Sequence, residues 1–311
     1  MNICVLGCGA MGSIYAGLFC AAGNRVSVVG RHRAHMQAIQ QHGLRISGAS
    51  GDRTVNPIVR ETVPDEDVDL LIIAVKASAV AEAAQACVDK LDRISTLLTI
   101  QNGLGSADIV AEILDSDRLL VGIAQGFGAS LVAPGHAHHN DMKAIRLGSH
   151  TAEASHLSEP TAALWRDAGF DAAAVEDILA AQWEKLICNV AYSAPCAITG
   201  MTVGEAMQDS ALGPLTQEAA REACDIARAL KIPLSFDDPV AYVRAFASRM
   251  PNAKPSVLLD IESGKPSEVG VINGSIPLQA ARIGRDAPVN AALTALVRAI
   301  ENRRARKTTG D

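Results

Sequence analysis

The seven cysteines of this 311-residue chain, Cys4, Cys8, Cys20, Cys87, Cys188, Cys196 and Cys224, are odd in number and include no C-x-x-C pair. That spacing indicates neither a disulfide framework nor a zinc cluster, so no metal is expected, and it fits a reducing compartment. A basic excess is also missing. Lys and Arg number 28 against 34 Asp and Glu, a formal net charge of −6, which argues against the strongly basic stripe of a sequence-independent nucleic-acid surface. Basic residues cluster only in Arg303, Arg304, Arg306 and Lys307, a solvated end on a last helix where cations complement the dipole. Apolar runs such as Leu70–Val75 have the length of strands and fall well short of the roughly 20 residues of a membrane span. The N-terminus lacks the basic flank and cleavage site of a secretory signal, so the expected setting is cytoplasmic, with no membrane partner. Internal repeats and low-complexity tracts are absent, apart from an alanine enrichment that suits helices. What is present is a globular composition, 49% hydrophobic and 20% charged, long enough for two domains with buried cores.

The stretch Met1–Gly12 organises the rest. The apolar run Ile3, Cys4, Val5, Leu6 leads into Gly7-Cys8-Gly9-Ala10-Met11-Gly12 and then into the helical pattern Ser13–Ala22. A strand, a glycine turn and a helix start in that order form a dinucleotide-binding unit. Gly7 permits the tight turn, Gly9 lets a pyrophosphate approach the backbone, and Gly12 lets helix and strand pack closely. A second strand, Arg25–Gly30, ends at Arg31 instead of at the acidic residue that takes the ribose hydroxyls of NAD. A carboxylate there repels a 2′-phosphate and Arg31 attracts one, so the expected cofactor is NADP(H).

Further along, Ala34–Gln41 reads as a short helix, and Leu44–Ser47 with Arg53–Arg60 as an inserted hairpin. Val68–Val75 is the continuous apolar run of a strand buried on both faces; it ends at Lys76, before a helix expected over Val80–Leu91. Ser95–Gln101 repeats the pattern and ends at Asn102-Gly103. In an open α/β sheet ligands sit beyond the carboxyl ends of strands, which makes Lys76 and Asn102 candidate site residues. Leu119–Val132 and Lys143–Gly148 read as further strands with a turn at Pro134-Gly135 between them. His136, His138 and His139 lie in that connection without a carboxylate or cysteine at ligand spacing, and are read as ordinary histidines.

From about Ile178 long Ala/Leu/Glu-rich stretches with helical periodicity take over. The fold class is therefore α/β: an N-terminal Rossmann-type dinucleotide-binding domain, residues 1–174, followed by an all-helical C-terminal domain, residues 175–311. In the first of these helices Lys185, Asn189 and Ser193 are spaced by four and line one face among apolar neighbours. A lysine on such a face either snorkels to water or is used; in a partly dry cleft its charged form is disfavoured, which makes it a proton donor. In Pro255–Pro277, Ser256, Asp260 and Glu262 fall near one helical face, Gly264 ends that helix, and Pro266-Ser267-Glu268 is expected to start another. Cys188, beside Asn189, reads as a small buried hydrophobe.

These residues together resemble the ketopantoate reductase (2-dehydropantoate 2-reductase) family. The resemblance runs from the glycine loop and Arg31 through Val75-Lys76 and Gln101-Asn102-Gly103 to Lys185-Leu186-x-x-Asn189, Pro255-Ser256-x-Leu258-x-Asp260 and Glu268-x-x-x-Ile272-Asn273-Gly274. It implies an NADPH-dependent reductase of a small 2-oxo acid, with substrate between a Rossmann and a helical domain, forming (R)-pantoate for pantothenate and coenzyme A. The helical domain could supply a homodimer interface. The resemblance makes Lys185 the general acid and gives Asn102 and Asn189 the task of orienting substrate. Ser256 would contact its carboxylate end, Glu268 would lie near the nicotinamide ribose and the substrate hydroxyl, and Lys76 and Asn102 would line the cofactor. One position departs: well-studied members tend to carry Asn where this chain has Ser193, which is shorter and lacks an amide donor. A reductase of another 2-oxo acid, or a non-catalytic NADP(H)-binding sensor, is the alternative; Lys185, Asn189 and Glu268 speak against a sensor.

Overall fold

The computed structural model describes residues 1–126, 128–141 and 144–308, the last two without their side-chain environment for 307 and 308. Phe127 and Lys143, which the expected strands included, and the side chain of Lys307 lie outside the described residues. The chain divides into two compact units, the first of residues 1–101 and 106–178, the second of 102–105 and 179–311.

The first unit opens with β1 (Asn2–Leu6), α1 (Ala10–Ala21), β2 (Arg25–Val29), α2 (Arg33–His42), β3 (Leu44–Gly48), β4 (Arg53–Val55), β5 (Ile58–Arg60) and β6 (Leu70–Ile73). It continues with α3 (Val80–Gln85), β7 (Leu97–Thr99), α4 (Ser106–Leu114), β8 (Leu119–Gln125), β9 (Gly128–Ala133), β10 (His136–Asp141), β11 (Ala144–Ser149), α5 (Ser158–Asp167) and β12 (Ala172–Ala174). Eight strands form the main sheet in the order β12-β11-β8-β7-β6-β1-β2-β5. All its neighbouring pairs are parallel except β11 with β8. Alternate residues feed opposite cores. Ile3, Val5, Leu70 and Ile72 pack with the α1 residues Ile14, Tyr15 and Phe19 and with Trp165 of α5, while Cys4, Leu6, Leu71 and Ile73 pack with Val80, Ala83 and Val110 of α3 and α4. Burial on both faces is why these strands are apolar without alternation.

Three expectations for this unit are corrected. Arg53–Arg60 is not one hairpin arm: β4 pairs antiparallel with β3, whereas β5 joins the main sheet parallel to β2. Pro57 stands between them, lacking the N–H that a continuous ladder needs. The Pro134-Gly135 turn does not join the two large strands read from sequence. It closes an antiparallel hairpin of β9 and β10 that, with β3 and β4, makes a second sheet ordered β4-β3-β10-β9. The expected helix over Val80–Leu91 is also shorter, α3 ending at Gln85 with a 3₁₀ segment at Val88–Arg93. The second sheet lies against α1 closely enough that a Cβ on Gly17 would come within 2.7 Å of Ile46.

The second unit is helical: α6 (Ile178–Thr199), α7 (Val203–Gln208), α8 (Leu212–Ala229), α9 (Pro239–Arg249), α10 (Ser256–Glu262), α11 (Ser275–Arg282) and α12 (Pro288–Thr308). Its core takes Trp183, Leu186, Ile187 and Val190 from α6, with Ala220 and Ala223 of α8, Val257 and Ile261 of α10 and Leu293 and Val297 of α12. The detached segment 102–105 belongs here because Leu104 is buried in that same core. Among the described residues no helix is long and apolar enough to cross a membrane.

Candidate active site

In the first unit the glycine loop joins β1 to α1. Gly7 has φ +112°, and a Cβ there would lie 2.5 Å from the Val75 nitrogen; a Cβ on Gly12 would lie 2.0 Å from the Gly7 carbonyl oxygen. These two positions exclude any side chain for reasons internal to the protein. Gly9 differs, since a Cβ there meets nothing within 4 Å. Gly9 is also the N-cap of α1, with no side-chain cap and no acidic residue in the first turn. The loop thus keeps open space next to uncapped helix N–H groups, with Cys8, Ala10 and Met11 supplying the remaining backbone, and this donor set fits a diphosphate.

A buried polar chain braces that loop. The Gly135 N–H donates to Nδ1 of His35 at 2.9 Å, and Nε2 of the same ring lies 3.0 Å from the Ser13 hydroxyl. A backbone N–H can only donate, so in the neutral ring Nε2 carries the proton and donates to Ser13. Ser13 Oγ is in turn 3.4 Å from Sγ of Cys8, inside the loop. His35 is wholly buried, and burial, helped by nearby His32, pulls its pKa down. Burial also pushes the Cys8 thiol up to about 11, which makes it an inert partner in this chain. The histidines of β10 serve the second sheet: Ser47 Oγ lies 2.8 Å from His136 Nε2 and 3.0 Å from His138 Nδ1.

Beyond the strand ends, Arg31 follows β2 and its guanidinium donates to Glu82 of α3 at 2.8 Å. Lys76 is exposed after β6. The preceding backbone is tied down by Gln101, whose Nε2 donates to the carbonyls of Ile73 at 2.6 Å and Val75 at 3.2 Å, while the Thr99 hydroxyl donates to its Oε1.

In the second unit, Lys185 Nζ donates to Asn102 Oδ1 at 2.8 Å, and Asn102 Nδ2 donates to Glu268 Oε2 at 3.3 Å. A carboxylate only accepts, so Glu268 fixes which end of the Asn102 amide faces the lysine. Lys185 is half-buried. Its desolvation lowers the ammonium pKa to about 8, against the raising influence of the Glu268 carboxylate. Asn102 is held by its neighbours: Gly103 has φ +79°, a Cβ there would stand 2.0 Å from the Val271 carbonyl oxygen, and the Leu104 N–H donates to that same oxygen at 3.2 Å.

Glu268 does not start a helix as expected. Residues 268–274 form successive turns, with α11 beginning at Ser275. The Glu268 carbonyl accepts from both Val271 and Ile272 N–H groups, and a Cβ on Gly274 would come 2.6 Å from the Gly270 carbonyl oxygen. Asn273, fully buried, turns inward and donates from Nδ2 to Val190 O of α6 and to Asn290 Oδ1 of α12, both at 2.9 Å. Asn290 donates onward to Glu222 of α8. This brace ties the Glu268 turn to the helix that carries Lys185, and only its place in the motif pointed to Asn273 beforehand.

Of the remaining residues, Asn189 is half-buried and Ser193 is buried, one and two turns beyond Lys185 on α6, and neither side chain has a hydrogen-bond partner among the described residues. Ser256 is exposed at the start of α10 and shares no hydrogen bond with the Lys185 group. Cys188 is buried, its thiol pushed up to about 12.

Comparison with known proteins places the chain in a family. Residues 3–152 match the family model described as ketopantoate reductase PanE/ApbA, and residues 177–301 match that of its C-terminal part. A 2-dehydropantoate 2-reductase of Archaeoglobus fulgidus is 31% identical over 96% of this chain and 97% of its own length; one from Pyrococcus horikoshii is 30% identical over 97% and 98%. Among solved structures, a PanE/ApbA family ketopantoate reductase from Ralstonia eutropha superposes with a TM-score of 0.87 at 29% identity, covering 98% of this chain and all of that one. D-mandelate dehydrogenase in a ternary structure with NADH and anilino(oxo)acetate shares the fold, with a TM-score of 0.91 at 23% identity over 98% and 99% of the two chains. With an α/β nucleotide-binding unit, a helical unit and both family models matched along nearly its whole length, the chain belongs to the ketopantoate reductase family of oxidoreductases.

Proposed function

We propose that the chain is an NADPH-dependent 2-oxo acid reductase that converts 2-dehydropantoate to (R)-pantoate, with residues 1–174 as the NADP-binding domain and 175–311 as the helical substrate and catalytic domain. The observation that carries this reading is the half-buried Lys185, bonded to Asn102 at 2.8 Å, with its pKa lowered to about 8. A donor in that range is mostly protonated near neutrality and still releases its proton readily.

NADPH, when bound, supplies the hydride that goes to the C2 carbonyl carbon. The backbone of Gly7, Cys8, Gly9, Ala10, Met11 and Gly12 holds its diphosphate, Arg31 its 2′-phosphate, and Lys76 lines the same site. Lys185 stabilises the negative charge growing on the carbonyl oxygen and then protonates it. Asn102 aims the ammonium, and Glu268 holds the Asn102 amide in register and favours the charged lysine. Asn189 and Ser193, without hydrogen-bond partners among the described residues, orient the substrate, and Ser256 takes its carboxylate end.

Ser193 supports a second reading, a reductase of another 2-oxo acid. Its buried hydroxyl is a single short donor where the family tends to place an amide, which suits a substrate with a different far end. The test is NADPH oxidation by the purified protein against ketopantoate and a panel of other 2-oxo acids. Preferred turnover of ketopantoate is the expected result. Turnover of another member alone moves the assignment to the second reading, and cofactor binding without turnover of any overturns the enzyme.

A further inference from the structure

The exposed pair Arg31–Glu82 bears on which dinucleotide the protein takes. In the sheet β1 lies between β2 and β6, so the segments that follow those two strands flank the carboxyl end of β1, where the glycine loop begins. Arg31 comes from the segment after β2, and Glu82 from α3, which follows β6. Their 2.8 Å ion pair therefore spans the strand end from which the loop departs. Dinucleotide folds that bind NAD place a carboxylate at the end of the second strand to accept the ribose hydroxyls. Here that position holds the cation, and a carboxylate arrives beside it from a different element.

We infer that Glu82 is a specificity-determining residue for the cofactor: it accepts a hydrogen bond from the ribose 2′-hydroxyl of the unphosphorylated dinucleotide and opposes the 2′-phosphate by like charge and by competing for Arg31. The inference rests on the assignment of Arg31 to the adenosine ribose made above. Its physical logic is a shared counter-ion. The two side chains are 74% and 71% exposed, and an ion pair so open to water is weakly held, so either member is released when a ligand offers something better. A phosphate recruits Arg31 and leaves Glu82 facing added negative charge. A free hydroxyl leaves the pair intact and gains Glu82 as acceptor. The site consequently admits both forms, with Arg31 and Glu82 pulling in opposite directions.

The experiment compares adenosine 2′,5′-bisphosphate with adenosine 5′-diphosphate as competitors of NADPH binding to the full-length protein, in wild type, Glu82→Gln and Arg31→Ala. Both side chains are exposed, and circular dichroism confirms that the variants fold. Removing the carboxylate is expected to tighten the bisphosphate about 3- to 10-fold and to weaken the diphosphate about 2- to 5-fold. Arg31→Ala is expected to weaken the bisphosphate by about tenfold or more while the diphosphate changes little. If Glu82→Gln shifts both competitors alike, or neither, while Arg31→Ala acts selectively, the role of Glu82 is overturned and that of Arg31 stands. If Arg31→Ala shows no selectivity, the assignment of Arg31 falls, and the inference built on it falls too.

Discussion

Under the proposed function, the glycine loop and the Lys185 group are two different ways of holding a reacting molecule. The loop is backbone, contained within Gly7–Gly12, and its selectivity comes from side chains it does not have. The Lys185 group is made of side chains from positions 102, 185 and 268, which meet only after the chain has folded. A local site and a dispersed one respond differently to substitution, in kind as well as in size.

The largest effect is expected at the dispersed site. Lys185→Ala should lower kcat by about 10²–10⁴, the typical worth of a positioned acid, with NADPH affinity, measured by fluorescence titration, retained. A variant that keeps turnover would show that the proton comes from elsewhere.

The loop should separate stability from binding. Gly12→Ala forces a Cβ into the space 2.0 Å from the Gly7 carbonyl oxygen, and such overpacking costs about 1–3 kcal/mol, visible as a lower Tm. Gly9→Ala meets nothing within 4 Å. Its stability should stay within about 0.5 kcal/mol of wild type, while NADPH binding weakens strongly because the new methyl group would occupy the space proposed for the diphosphate. Equal Tm losses in the two variants would remove the distinction.

That asymmetry explains what the amino-acid sequence discloses. Three glycines within six residues act locally, so their order between an apolar run and a helix was enough to identify the loop, and the i, i+4 spacing was enough to put Lys185, Asn189 and Ser193 on one face. The bond from Asn102 to Lys185 could not be read from periodicity, and residue-level reasoning treated Glu268 as a helix start when it lies in a run of turns. What overrides the local signal is the inward turn of Asn273 onto α6 and α12, a tertiary contact. The β9–β10 hairpin was missed for a related reason: its strands belong to a second sheet whose partners, β3 and β4, come from about 80 residues earlier in the chain. His35 did leave a trace, a polar residue next to Met36 on the buried side of α2, but its partners Ser13 and Gly135 are distant.

Within the Lys185 group, Glu268→Gln tests whether the carboxylate tunes the acid. As the proposed acid Lys185 must be protonated to act, so the reductase rate is expected to fall as pH rises through its pKa of about 8. Glu268 raises that value; removing its charge should move the alkaline limb of the kcat/KM profile to lower pH, with the rate at pH 6 affected least. An unmoved limb would leave Glu268 as a purely geometric support for Asn102.

The smallest effect on turnover is expected at the brace behind the loop, where the change is one of stability. His35→Leu leaves the Gly135 N–H and the Ser13 hydroxyl without their partner, at about 1–3 kcal/mol for each group that stays buried and unpaired. The pH dependence gives a sharper signature. The folded-state pKa of His35 lies below the ordinary 6.5, so under pH 6.5 the unfolded chain binds the proton more readily than the native one, and stability declines as pH falls through that window. His139, also driven down chiefly by burial, contributes with the same sign, so the variant should flatten the acid slope of the urea midpoint without abolishing it. An unchanged slope would mean that His35 takes up its proton in the folded protein as easily as in the unfolded one, which the Gly135 N–H directed at its Nδ1 argues against.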